Sequence, residues 1–215
     1  MRALEELIDH REPGIELIRA WLAEAENSCE LLPPSVRRGE CLHQLQVTTR
    51  SPMGALVYDS GGLLVDHGWL RFVGSGNSRL SRDLPGWNSR MKSEGFLLVA
   101  DDVLGGFFAV NGGGLGDYPG GVYYLPYDSL NWESLGVGFS QFLAWSFSAA
   151  LEGFYGADRW DGWQDDLKAL SGDECFSFYP FLWAEEGGVG VSRREIVPVK
   201  EAYELKVEIR RQLLE

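Results

Sequence analysis

The chain has 215 residues, 45% hydrophobic and 24% charged, which suits a globular protein with a substantial core and excludes a disordered one. Its 32 acidic and 19 basic residues leave a formal net charge of −13, so generic binding to nucleic acid or to anionic membranes is not expected. Cys29, Cys41 and Cys175 are far apart and form no C-x-x-C; they signal neither a disulfide framework nor a zinc site, and a cytoplasmic location is expected.

In chain order, MRALEELIDHREPG meets acidic residues by Glu5 and lacks the apolar run of a secretory signal. PGIELIRAWLAEAENS places Ile15, Ile18, Leu22 and Ala25 on one helical face, with Pro13 suited to the first turn. After LLPP, Ser35 can cap a second helix reaching about Gln46, with Cys41, Leu42 and Leu45 turned inward. From Val47 the texture becomes strand-like. MGALVYD, a Gly61-Gly62 turn and LLVDHGWLRFVG read as hairpin strands, with Gly68 at a bulge or a close backbone approach. Segments 96–101, 107–111, 122–127 and 130–134 continue the sheet between Gly, Pro, Asn and Asp clusters.

FSQFLAWSFSAALEGFY, 139–155, is apolar nearly all round, as a helix laid on a sheet and covered outside would be. A short acidic helix is expected at 161–170, then aromatic FSFYPFLW, then a polar stretch in which 187–195 is the best mobile surface loop, and a terminal helix after Pro198. The predicted fold is a single α+β domain over 1–215: a helical N-terminal region over 1–46, a sheet region over 47–136 and a helical, aromatic C-terminal region over 137–215. One mainly antiparallel sheet of five or six strands lies at its centre. No segment approaches the roughly 18 uninterrupted apolar residues of a membrane helix.

Motifs that would carry chemistry are incomplete. GSGNSR, 74–79, and NGGGLGDYPGG, 111–121, lack the P-loop and dinucleotide patterns and read as turns. Ser75 and Ser140 lack a G-x-S-x-G elbow, and His10, His43 and His67 show no H-E-x-x-H spacing, so neither a metal nor any other cofactor is expected. Asp158, Asp161, Asp165 and Asp166 miss calcium-loop spacing.

Asp66 and His67 are the catalytic candidates, because a carboxylate beside an imidazole can tune a general base. On a strand the two side chains would diverge unless Gly68 bends the chain, so a structural or partner-facing His67 is the preferred reading. Arg50, His67 and Arg71 are the candidates for contact with a partner or an anion. Asp101, Asp102, Gly105 and Gly106 read as structural turn residues, the carboxylates accepting backbone N–H bonds. Phe96 to Ala100 is apolar on both faces, which marks a central, buried hairpin.

VADDVLGGFFAVNGG, then GGVYYLPYDSLNWESLG and FSQFLAWSF, resemble the SUKH superfamily of bacterial immunity and scaffold domains over roughly 97–148. Asp102 and Gly105 stand at its D-x-x-G turn, Gly121 and Val122 at its G-x-V strand, and Phe139, Phe142 and Leu143 at its F-x-x-F-L helix. The chain departs from that pattern in that Asn111-Gly112-Gly113 lies inside the sheet instead of before it. LQVTTRSPMGALVYDSGGLLVDHGWLRFVGSG, with the later FYPFLW, resembles the bacterial domain-of-unknown-function family 2625 across nearly the whole chain. The superfamily resemblance implies a non-enzymatic, protein-binding α+β module with no catalytic residue to carry over, and the second family implies no mechanism.

These residues leave three expectations. The first is a cytosolic binding module, an immunity or regulatory protein, whose acidic surface meets a basic protein such as a toxin. The second is a small-molecule enzyme using Asp66 and His67 with Arg50 or Arg71 orienting an anion. The third is a homodimer along Trp160, Trp163 and FYPFLW, against the preferred reading of those aromatics as core.

Overall fold

The computed structural model describes residues 1–214. Its N-terminal third packs short helices against the start of a sheet. After a single turn, α1 (Leu4–Leu7), α2 (Gly14–Ala23) buries Ile15 and Ile18, the face that its spacing predicts. Strand β1 (Cys29–Leu32) follows inside the stretch expected to be helical, and α3 (Arg38–Leu45) buries Cys41 and Leu42.

MGALVYD is not a strand: it lies in α4 (Pro52–Asp59). Ser51 accepts a hydrogen bond from the Gly54 N–H and Pro52 occupies the first turn, so the helix start is encoded just upstream of the apolar run. Gly54 to Val57 are all buried, so covering elements on several sides have erased the amphipathic pattern.

The hairpin instead joins β2 (Gly62–Val65) and β3 (Leu70–Val73) through Asp66–Trp69. Beyond α5 (Leu84–Met91) come β4 (Phe96–Asp102), β5 (Phe107–Asn111), β6 (Gly121–Leu125) and β7 (Glu133–Gly138). The main sheet is thus a seven-stranded antiparallel meander in the order β1 to β7, larger than the expected five or six strands, with β1 and the shifted β7 as its edges. Every consecutive pair is antiparallel, so each strand neighbours the one before it in sequence.

Both faces of the meander are covered. On one, Phe72, Phe108 and Tyr124 pack with Phe142; Phe108 stacks on Phe142 at 4.7 Å and on Tyr124 at 4.3 Å between ring centroids. Burying each such ring contributes roughly 1.5–3 kcal/mol, which favours placing the helices there. The 139–155 segment supplies this cover as two helices, α6 (Phe139–Ser146) and α7 (Ala150–Tyr155), with the chain turning between them. The other face gathers Trp87 of α5 with Leu98, Phe107 and Leu125, closed by Val199 and Tyr203.

The last third adds α8 (Trp163–Leu167), a hairpin of β8 (Glu174–Tyr179) and β9 (Arg193–Pro198), and α9 (Val199–Leu214). The expected mobile loop therefore runs into a paired strand at Arg193. The Phe176 N–H donates to the Val103 carbonyl at 2.8 Å, tying this hairpin to the β4–β5 turn. Trp160 and Trp163 lie 5.6 and 5.2 Å from Trp69, inside an aromatic cluster. Among the described residues no helix is long and apolar enough to cross a membrane.

Candidate functional site

Asp66, His67 and Gly68 have φ of 51°, 60° and 88°, three left-handed residues in succession. Aspartate and histidine tolerate this conformation better than most residues, and glycine meets no penalty there. The two candidates are thus turn residues, not strand neighbours. The Asp66 carboxylate pairs with Arg159, whose guanidinium also meets Glu152 and lies 4.6 Å over the Trp163 ring. Burial pushes the Asp66 carboxyl above its ordinary value, and the Arg159 charge opposes that rise. Among the described residues no hydrogen bond joins Asp66 to His67; the imidazole instead meets Trp163 edge-on at 6.0 Å.

His67 faces a polar groove between this turn and α8. Its larger lobe, about 470 Å³, is lined by Ser28, Glu30, His67, Arg79, Gln164 and Lys168 among others. A second lobe of about 250 Å³ shares Leu64, His67, Gly68, Arg79, Leu167 and Leu170 with it and reaches Arg71, Ser78 and Ser171. The groove therefore brings together His67 and Arg71. Asp66 is not among its lining residues, and Arg50 is elsewhere, exposed and paired with Glu12.

Arg71 is buried and held at three points. Its guanidinium donates to the Glu174 and Asp102 carbonyls and lies 2.5 Å from Asp101 Oδ1 as an ion pair, off hydrogen-bond geometry. Its Nε has no hydrogen-bond partner. Asp101 is a residue of β4, paired with Arg71 and Phe107 across the sheet, and not a turn residue as expected. Its other oxygen accepts from Arg82 at 2.5 Å, and Arg82 continues to Asp173 at 2.9 Å. Burial opposes ionisation of Asp173, but its bonds from Ser81 and Arg82 bring its pKa below the ordinary value.

Asp102 points to the opposite face. Its Oδ1 accepts from the Leu104 and Gly106 N–H groups at 3.0 and 2.8 Å, and its Oδ2 from the Tyr124 and Tyr155 hydroxyls at 2.7 and 2.9 Å. Burial raises its pKa against the opposing bonds from Gly106, Tyr124 and Tyr155. Gly105 takes φ 82° in the same turn, and a Cβ on Gly106 would collide with Asp102 Oδ2.

Nearby, Lys206 of α9 donates to the Pro126 carbonyl under the Trp183 ring, and burial lowers its pKa to about 7. Arg79, Arg82, Arg159, Lys168 and Lys206 carry no local motif; only the aromatic spacing around Arg159 (RWDGW) hints at a buried cation. Among the described residues no cluster of three or more His, Cys, Asp or Glu could hold a metal.

A seven-stranded antiparallel meander with helices on both faces, a buried arginine–aspartate centre and a polar groove beside it defines an α+β protein class. The chain belongs to the family described as "Protein of unknown function DUF2625", whose model matches residues 4–202. It is 46% identical over 213 residues to the "Putative uncharacterized protein YbfG" of Escherichia coli (strain K12), covering 98% of each chain. An "Uncharacterized protein" of Haemophilus influenzae is 41% identical over 189 residues, 85% of this chain and 83% of the relative. No solved structure matches.

Proposed function

We propose that this protein is a non-enzymatic, cytosolic binding module that acts through a protein partner, in an immunity or regulatory role. The observation that carries this reading is the fate of its buried carboxylates. Asp66 is paired with Arg159, Asp101 lies between Arg71 and Arg82, and Asp102 accepts four hydrogen bonds. Each of these buried acids is thereby assigned to holding a loop or a strand. The enzymatic alternative needs Asp66 free to work with His67, whereas Arg159 engages it.

The net charge of −13 favours a basic partner, because complementary charge speeds association and rejects partners of like sign. The SUKH-like string around Asp102 and Gly105 supports the same class by resemblance. The test is capture of partners on the immobilised full chain at low salt, followed by titration of the purified pair at two salt concentrations. A stoichiometric basic protein whose association rate falls steeply with salt is the expected result. The proposal fails if no stoichiometric partner is recovered, or if the purified protein turns over a small molecule and His67→Ala abolishes turnover without unfolding.

A further inference from the structure

We propose that the groove beside the Asp66–Gly68 turn binds the phosphoryl group of a small molecule, held by Arg79, Lys168 and His67 with the buried Arg71 in its lining. This site is separate from the protein-partner reading and does not depend on it. Local charge points to it first. In a chain with 32 acidic and 19 basic residues, this groove gathers Arg71, Arg79, Lys168 and His67; Arg71 is paired with the buried Asp101, whereas Arg79 and Lys168 are held only by exposed pairs to Glu30 and Asp165. Exposed ion pairs contribute little in water, so both cations can exchange their carboxylate partners for a more highly charged anion in the groove.

Size and donor chemistry narrow the ligand. About 470 Å³ is within the range of small-molecule sites, roughly 300–1,000 Å³, but the polar lining suits a charged headgroup more than an apolar body. A carboxylate is satisfied by one bidentate arginine, whereas a phosphoryl group presents three acceptor oxygens and up to two charges. The lining supplies donors in that number from separate segments: guanidinium, ammonium and imidazole groups, with the hydroxyls of Ser78 and Ser171. Arg71 lines the smaller lobe as a fixed charge: its side chain is only 2% exposed and its terminal nitrogens are engaged by Glu174, Asp102 and Asp101.

Glu30 modulates the same cation. It pairs with Arg79 across the groove, both side chains being more than half exposed, so it competes with an incoming anion for the same guanidinium. Removing its charge frees Arg79 and removes a repulsion.

The experiment is an amide NMR titration of the full chain with inorganic phosphate, glycerol phosphate and acetate at matched ionic strength. Wild type is compared with Arg79→Ala/Lys168→Ala and with Glu30→Gln, all substitutions of exposed side chains. Saturable phosphate shifts at Gly68 and Gly172 are expected, weakened at least about tenfold in the double variant and tightened several-fold by Glu30→Gln. That gain cannot arise from misfolding. Linear shifts without saturation, acetate binding as well as phosphate, or affinities unchanged in both variants would overturn the assignment.

Discussion

Asp102 receives two backbone N–H groups and two tyrosine hydroxyls within a closed core, so its removal orphans four donors at once. Asp102→Ala is expected to cost about 3 kcal/mol or more, and Tyr155→Phe only about 1–2 kcal/mol, both read from urea midpoints. Lys206 predicts a pH dependence. Burial lowers its pKa from 10.5 to about 7, so between those values the unfolded chain holds a proton that the folded chain has shed. The destabilisation is fully present below pH 7, and stability rises with pH through this interval by up to about 1.4 kcal/mol per unit.

The thiols, two buried and that of Cys29 partly so, reverse the trend. Burial raises Cys29 and Cys41 to about 11 and Cys175 to about 12 from 9, so above pH 9 the unfolded chain loses those protons first. The rise is therefore confined to about pH 7–9, and Lys206→Met should flatten it in urea titrations across that window.

Among the elements, the β4–β5 connection shows why a turn can be as demanding as a core. Asp102 and Tyr124 close over Gly106 so tightly that any side chain there meets both the Tyr124 hydroxyl and the carboxylate. Gly106→Ala is expected to destabilise by about 1–3 kcal/mol and to perturb Tyr124 and Tyr155 together, visible as a joint change in near-ultraviolet circular dichroism. The β8–β9 hairpin is anchored differently, by Arg82–Asp173, Arg71 to the Glu174 carbonyl, and Phe176 to Val103. It joins the meander through buried side chains such as Phe176 and Phe178 and not through a strand ladder, so its amides should exchange before those of β3 to β6 in native-state hydrogen exchange.

For the whole molecule, a net charge of −13 imposes self-repulsion on the folded state. The thermal midpoint should rise as salt increases from about 10 mM to about 150 mM, as the screening length shrinks from about 30 Å to about 8 Å. Calorimetry checks this, and a flat or falling midpoint would mean that the exposed ion pairs outweigh the repulsion.

What the sequence determined by itself is what local patterning can carry. The α+β class, the antiparallel strands between 96 and 125, the buried face of α2 and the terminal helix all follow from residues near one another in the chain, whereas Gly68 is neither a bulge nor a close approach but part of the β2–β3 turn. His67 and Arg71 were legible as polar groups worth singling out, and the groove does join them.

Only the tertiary structure decided the rest. MGALVYD is helical because Ser51 and Pro52 start it and neighbours cover it, which strand-like apolarity concealed. Asp101 is an ion-pair centre because Arg71 and Arg82 arrive from distant segments of the chain. The groove is assembled from β1, the β2–β3 hairpin, the Ser78–Arg79 segment, α8 and the region after it, stretches that share no motif. Their chemistry arises from proximity across the fold, and a linear pattern does not record which distant side chains a sheet brings together.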